Sequence, residues 1–334
     1  MNEQNGLVPL IDISPFLSGD IYDKQRVAKA VDDACKNIGF LIITGHGVPE
    51  SLITEMYKTS AEYFSLPLWE KMALKMPPDR YRGYTPMGSE SLASSLDNDT
   101  PSDLKESFSI GPFDVPYDEY HFGSEGARYF APNYWPDKPN RMRSIWESYF
   151  SEMNRLANDL MRIFAVALDV SEDFFENKID KHITNFSAIH YPGQKHKPKE
   201  NQLRGGQHTD YGSLTIVNTN SDVGGLEVER RDGSWEPVPW VKDAFSINIG
   251  DLMAEWTNDR WVSTMHRVAN PPSTKSHMSK TSLLFFHQPN YDAEIECIPT
   301  CTSSDNLPKY SKTTSGKHVT MKITKHRSPG LEKK

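Results

Sequence analysis

The chain has 334 residues, 37% hydrophobic and 11% aromatic, which is enough for a large apolar core. Lys and Arg number 37 against 45 Asp and Glu, and the net charge of -8 excludes a nucleic-acid or anionic-membrane surface as the working face. Three cysteines, Cys35, Cys297 and Cys301, lack Cys-x-x-Cys spacing, no run reaches transmembrane length, and Met1-Asn2-Glu3-Gln4-Asn5-Gly6 is neither basic nor apolar, so free thiols in a cytoplasmic protein are expected.

In chain order, Val8 to Ile13 reads as a short strand ended by Ser14-Pro15. Val27, Ala30, Val31 and Ala34 stand at helical spacing within 24–37, and Gly39 stops that helix. Phe40 to Thr44 is a buried strand running into Gly45-His46-Gly47, where His46 is a loop histidine held by backbone contacts. A helix opens at Pro49-Glu50 and runs to Phe64, and Pro67 resets the chain into Leu68–Met76. Residues 77–113 are loop-like in composition, and 123–139 is irregular. From Pro139 a long helix carries Met142, Trp146, Tyr149, Met153, Leu156 and Leu160 on one stripe, which is core and not chemistry.

After Ile183 the period changes. Phe186 to Tyr191 alternates and is stopped by Pro192-Gly193; the basic run Lys195 to Lys199 is a solvated loop. Short strands follow at 214–217, 226–229, 235–237, 245–249, 266–268 and 282–287, separated by Gly, Asp-Gly and Pro turns, and together they imply a barrel or sandwich. No linker rich in Pro, Gly or Ser divides the chain into halves.

The stretch with the clearest chemistry is Gly206-Gln207-His208-Thr209-Asp210-Tyr211-Gly212-Ser213-Leu214. Read as a strand beginning near His208, period 2 aims the imidazole and the Asp210 carboxylate at one point. About 0.7 such His-x-Asp pairs are expected by chance, so the pair draws its meaning from its setting, a strand start flanked by glycines. With a second imidazole from another strand it would suit a divalent first-row metal with open coordination positions, as in non-haem Fe(II) oxygenases.

Several segments carry a family likeness in order. Gln207–Val217, Ser246 to Met253 with Trp256-Thr257-Asn258-Asp259-Arg260, and Ser263 to Val268 with Asn270-Pro271-Pro272 resemble the isopenicillin-N-synthase-like family of Fe(II)- and 2-oxoglutarate-dependent dioxygenases. Gly45-His46-Gly47-Val48-Pro49, Arg82-Gly83-Tyr84 and Asp103 to Phe108 resemble its N-terminal region.

The resemblance implies a mainly β fold with flanking helices, a double-stranded β-helix (jelly roll) core beside an N-terminal α/β region. Residues 1–180 would form that region, 181–295 the core and 296–334 a C-terminal extension. It names His266 as the third ligand beside His208 and Asp210, with Fe(II), 2-oxoglutarate and O2 as the cofactor set. The distal carboxylate of 2-oxoglutarate needs a buried cation and hydroxyls, which the family supplies as Arg-x-Ser. Here the aligned residues are Lys280-Thr281-Ser282, a point donor in place of a planar fork, with Tyr191 as a further hydroxyl partner.

Candidate substrate contacts are Asn185, Tyr211 and Phe286, with Tyr84, Met87 and Phe108 as pocket walls, while Arg267 is expected in an outward ion pair. The implied reaction is oxidation, most simply hydroxylation, of a C–H bond in a small molecule such as a pyrimidine or a specialised metabolite, with release of succinate and CO2. No catalytic group beyond the metal ligands is required. A same-fold oxidase that uses no 2-oxoglutarate and a non-catalytic small-molecule binder are the alternatives, and the oligomeric state is open.

Overall fold

A single antiparallel-dominated sheet of eight strands carries the fold, and a smaller four-stranded sheet faces it. The computed structural model describes residues 6–77, 80–93, 100–194, 196–221, 223 and 225–327, with side chains as far as Lys322. Lys195, in the basic run, lies outside the described residues.

The N-terminal part contains β1 (Leu10–Asp12), α1 (Ser14–Ser18), α2 (Ile21–Asn37), β2 (Phe40–Thr44), α3 (Glu50–Phe64) and α4 (Leu68–Met72). Helix α2 starts where the Asp20 carboxylate accepts from the backbone amides of Tyr22 and Asp23, at 2.9 and 3.0 Å, satisfying two orphan donors. The stretch expected to be loop holds two strands, β3 (Gly83–Thr85) and β4 (Glu106–Ile110). Glu106-Ser107-Phe108-Ser109-Ile110 does alternate, but it is short, and pairing on a neighbouring strand decides its state.

Next come α5 (Glu119–Phe122), α6 (Met142–Ala167) and α7 (Glu176–Ile179), then β5 (Asn185–Tyr191), β6 (Gly205–His208), β7 (Leu214–Thr219), β8 (Leu226–Glu229), β9 (Trp235–Pro237) and β10 (Phe245–Ile249). The chain closes with α8 (Asp251–Trp256), β11 (His266–Val268), β12 (Lys280–His287), β13 (Glu294–Ile295), β14 (Thr313–Thr314) and α9 (Ser315–Arg327).

The large sheet runs β1-β2-β10-β7-β12-β5-β4-β3 and the small one β6-β11-β8-β9, a jelly-roll core. Strands from the N-terminal region thus extend the core sheet at both edges. On the outer face, the α6 stripe packs edge-on to strand aromatics: Trp146 meets Phe108 at 5.5 Å and Phe186 at 5.4 Å, and Phe150 meets Phe285 at 5.1 Å. Burying that face frees the opposite one. Between the two sheets lies a cavity of about 550 Å³.

Candidate metal centre and cavity

His208 and His266 are directly opposed partners on the antiparallel pair β6 and β11, and their ring centroids stand 4.3 Å apart. His208 ends its strand and does not begin one; Asp210 lies in the turn that leads to β7. The turn, and not strand period, therefore brings the carboxylate to the imidazoles. Two close backbone approaches shape this turn: a Cβ on Gly212 would fall 2.3 Å from the His287 carbonyl oxygen, and one on Gly250 would fall 2.2 Å from the Gly212 carbonyl oxygen.

Asp210 Oδ1 is 3.8 Å from His208 Nε2 and 3.9 Å from His266 Nε2. These three residues form a cluster whose donor atoms all lie within 4.8 Å. Each imidazole uses Nδ1 on its own backbone, His208 on the Gly206 carbonyl at 2.8 Å and His266 on the Thr264 carbonyl at 3.0 Å. A carbonyl can only accept, so Nδ1 carries the proton and both Nε2 lone pairs face the cluster. Asp210 Oδ2 accepts from Thr215 Oγ1 at 2.5 Å and Asn248 Nδ2 at 2.8 Å, which leaves Oδ1 for the cluster.

Burial and the neighbouring His266 hold the His208 imidazole down to about 3, so it is neutral at physiological pH. For Asp210, burial pushes the carboxyl up, but the two histidines and the hydrogen bonds from Asn248 and Thr215 outweigh it, and the carboxyl stays below its ordinary range. Two imidazole nitrogens and one carboxylate oxygen are the donor set of a divalent first-row metal, so the residues fit Fe(II).

Asp251 ties the surrounding segments together. It accepts from Thr209 Oγ1 at 3.1 Å beside the ligand turn and from Ser263 Oγ at 2.7 Å on the approach to β11, and it pairs with Lys322 of α9 at 2.7 Å. Val319 and Thr320 of the same helix line the cavity, so the C-terminal extension forms part of its wall.

The register of the large sheet places Lys280 opposite Tyr191, Ser282 opposite Ile189 and Phe286 opposite Asn185, and all six line the cavity. Lys280 is buried, and burial followed by the charge of nearby Arg204 draws its ammonium down to about 8. Burial likewise pushes the Tyr191 hydroxyl up to about 12. Tyr211 lines the cavity beside the ligand turn.

Tyr84 and Phe108 do not. They are partners on β3 and β4, and their side chains face the helices: both are buried in the apolar core, with Tyr84 Oη donating to Glu106 at 2.5 Å and Phe108 against Tyr63 at 4.7 Å. Period 2 points their neighbours Thr85, Ser107 and Ser109 inward instead. Met87 is exposed and also outside the lining. Arg267 makes the outward pair expected of it, with Glu227 at 2.7 Å, and stacks on Trp235. His46 is held by the Asp243 carbonyl and the Val48 amide, as a loop histidine should be.

Several residues around the site escaped the sequence reading. Asn248 had a legible signal, since Ser246 and Asn248 are the polar positions of a strand whose Phe245, Ile247 and Ile249 are buried apolar. Lys105, buried in the cavity wall against Glu90 at 3.2 Å and Asp103 at 3.8 Å, had none. Arg82 stood inside a motif read for its tyrosine.

The family described as non-haem dioxygenase in morphine synthesis N-terminal matches residues 8–138, and the 2OG-Fe(II) oxygenase superfamily matches residues 183–289. A homoarginine-6-hydroxylase of Oryza sativa subsp. japonica is 32% identical over 95% of this chain and 96% of its own. A 2-oxoglutarate-Fe(II) type oxidoreductase of Emericella nidulans is 33% identical over 90% of this chain and 85% of its own. Among solved structures, a full-length Neurospora crassa protein in complex with alpha-KG and thymine superposes with a TM-score of 0.84 at 30% identity, covering 97% of this chain and 98% of that one. Likeness over nearly the whole length makes this chain a member of the 2OG-Fe(II) oxygenase superfamily, an iron(II)- and 2-oxoglutarate-dependent dioxygenase that takes O2 as co-substrate.

Proposed function

We propose that His208, Asp210 and His266 hold the Fe(II) of this dioxygenase, and that it hydroxylates a C–H bond of a small, flat molecule bound in the cavity. The observation that carries this reading is the pairing of both Nδ1 atoms with backbone carbonyls, which commits two Nε2 lone pairs and one carboxylate oxygen to the same point. When bound, the metal with 2-oxoglutarate and O2 supplies the oxidation, with succinate and CO2 as the other products.

The chain's own residues bind, orient and shield. Lys280, with Ser282 and Tyr191, takes the distal carboxylate of 2-oxoglutarate, a charge that would be costly to bury unpaired. Thr215 and Asn248 keep Asp210 ionised and turned toward the metal. Tyr211 and Phe286 take the faces of a substrate ring, and Asn185 takes its edge. The Neurospora crassa protein is crystallised with thymine, which supports a substrate of pyrimidine size, whereas the rice relative is named for homoarginine; a specialised metabolite fits the same space.

In this reading residues 1–180 supply edge strands and the helical layer, 181–295 the metal and cosubstrate groups, and 296–334 a cover over the cavity. Three buried free thiols support a reducing, cytoplasmic setting. Among the described residues no helix is long and apolar enough to cross a membrane.

Anaerobic reconstitution with Fe(II) and 2-oxoglutarate tests the proposal, with a visible metal-to-ligand charge-transfer band as the expected result. A substrate panel scored by succinate release then follows. Absence of the band in the wild type, or a band undiminished in His266→Ala, would remove the triad.

A further inference from the structure

Arg82 is a buried cation in the cavity wall, and its hydrogen-bond acceptors are all neutral. Nη1 donates to the Tyr81 carbonyl at 2.9 Å and to Asn185 Oδ1 at 3.3 Å, and Nη2 donates to the Tyr129 carbonyl at 2.6 Å. Among the described residues Nε has no partner and no carboxylate lies within ion-pair distance of the guanidinium. The fold makes deliberate room for it: a Cβ on Gly111 would stand 1.8 Å from Nη2. Burial draws this guanidinium down to about 10.

Each other charged side chain that lines the cavity has a partner, a role or solvent; Arg204, a second buried cation with the Met278 carbonyl as acceptor, stands behind Tyr191 and Lys280 and outside the lining. Lys105 meets Glu90 and Asp103, Asp210 belongs to the metal, and Lys280 is taken by the cosubstrate in the reading above; Arg128 is exposed. Isolated cations are costly to bury, and in a site screened from water a charge acts on its neighbours across several ångströms.

Arg82 also sets the Asn185 amide. Because Oδ1 accepts from the guanidinium, the nitrogen is turned the other way, giving one hydrogen to Ser187 Oγ at 3.1 Å and keeping one for the cavity that Asn185 lines. Ser187 in turn shares a hydrogen bond of 2.7 Å with Ser109. Beside β4 and β5 the wall therefore carries one buried positive charge and presents an amide hydrogen.

We propose that Arg82, acting through Asn185, selects substrates whose ring carries an anionic oxygen, a carboxylate above all. The proposal rests on the cavity being the substrate site, so its test begins from protein already loaded with Fe(II) and 2-oxoglutarate without oxygen. If the charge-transfer band never forms, the metal and cosubstrate reading fails and this one is not reached by it. With the band present, benzoate, benzamide and benzamidine, which share a shape and differ in charge, are titrated against it and by calorimetry.

Benzoate is expected to bind at least about tenfold tighter than benzamidine, with benzamide between them, a difference worth one charge-assisted contact. Arg82→Gln should bring the three within about twofold while the band and the 2-oxoglutarate affinity stay as in the wild type, and Arg82→Lys should keep part of the preference. Asn185→Asp sets a carboxylate against Arg82, so it keeps the wall folded should Arg82→Gln not, and it should turn the preference toward benzamidine. Equal affinities in the loaded wild type, no benzoate binding at millimolar concentration, or a charge preference undiminished in both variants would overturn the proposal.

Discussion

The two faces of the eight-stranded sheet are made by the same strands and differ in chemistry, one almost wholly apolar and the other mixed with hydroxyls, amides and a lysine. Toward the helices stand Phe108, Ile110, Phe186, Leu283, Phe285 and Ile247, each in the apolar core. Toward the cavity, one residue along each strand, stand Ser107, Ser109, Ser187, Ser282, Lys280 and Ser246. A strand cannot be specialised as a whole, because successive side chains point opposite ways. Stability and function here are interleaved residue by residue, and variants should separate along that line.

Asp210→Ala gives the sharpest separation. Loss of Fe(II) binding and of all turnover is expected while the protein stays folded, with a stability loss of only about 1–3 kcal/mol from two donors left without an acceptor. An active, iron-replete variant on metal analysis would erase the distinction. Phe108→Ala should do the reverse, costing about 3–5 kcal/mol of unfolding free energy by denaturant titration and leaving the Fe(II) and 2-oxoglutarate band of the folded fraction intact. A weakened cosubstrate affinity there would mean the outer face reaches the site.

Lys280→Ala tests the cavity side more finely. The dissociation constant for 2-oxoglutarate, read from the charge-transfer band, should rise at least about tenfold. An unchanged value would assign the distal carboxylate to another group. A smaller effect follows from protonation. Binding needs the charged ammonium, which is present below its pKa, and burial draws that pKa down to about 8. The wild-type affinity for 2-oxoglutarate should therefore begin to fall at or somewhat above that pH, because the bound carboxylate raises the pKa. Lys280→Arg, whose guanidinium stays charged well beyond this range, should remain level. Parallel pH curves for the two proteins would show that Lys280 does not set the dependence.

Much of this molecule is legible in its sequence. The α6 stripe, the β2 segment and the run of short strands after Ile183 follow from periodicity and punctuation, and each depends on local sequence. Lys280, Ser282, Tyr191 and Phe286 were placed by family likeness, and their common inward face follows from the even spacing of Lys280, Ser282 and Phe286. Tyr84 and Phe108 were misplaced for an instructive reason. In the family this stretch leads toward the substrate pocket, but which way a three- or five-residue strand turns its faces depends on the sheet it joins.

By itself, then, the sequence determined the class of the protein: strand and helix periods, a His-x-Asp pair and a later His in the order of a known family. Which faces look inward, that a turn and not a strand carries Asp210 to the imidazoles, and that Arg82 is buried with neutral acceptors alone emerge only in the folded chain. The physical reason is range. Hydrophobic period and turn chemistry act between residues a few positions apart, whereas burial, charge balance and tautomer are set by groups that meet only when distant strands pair.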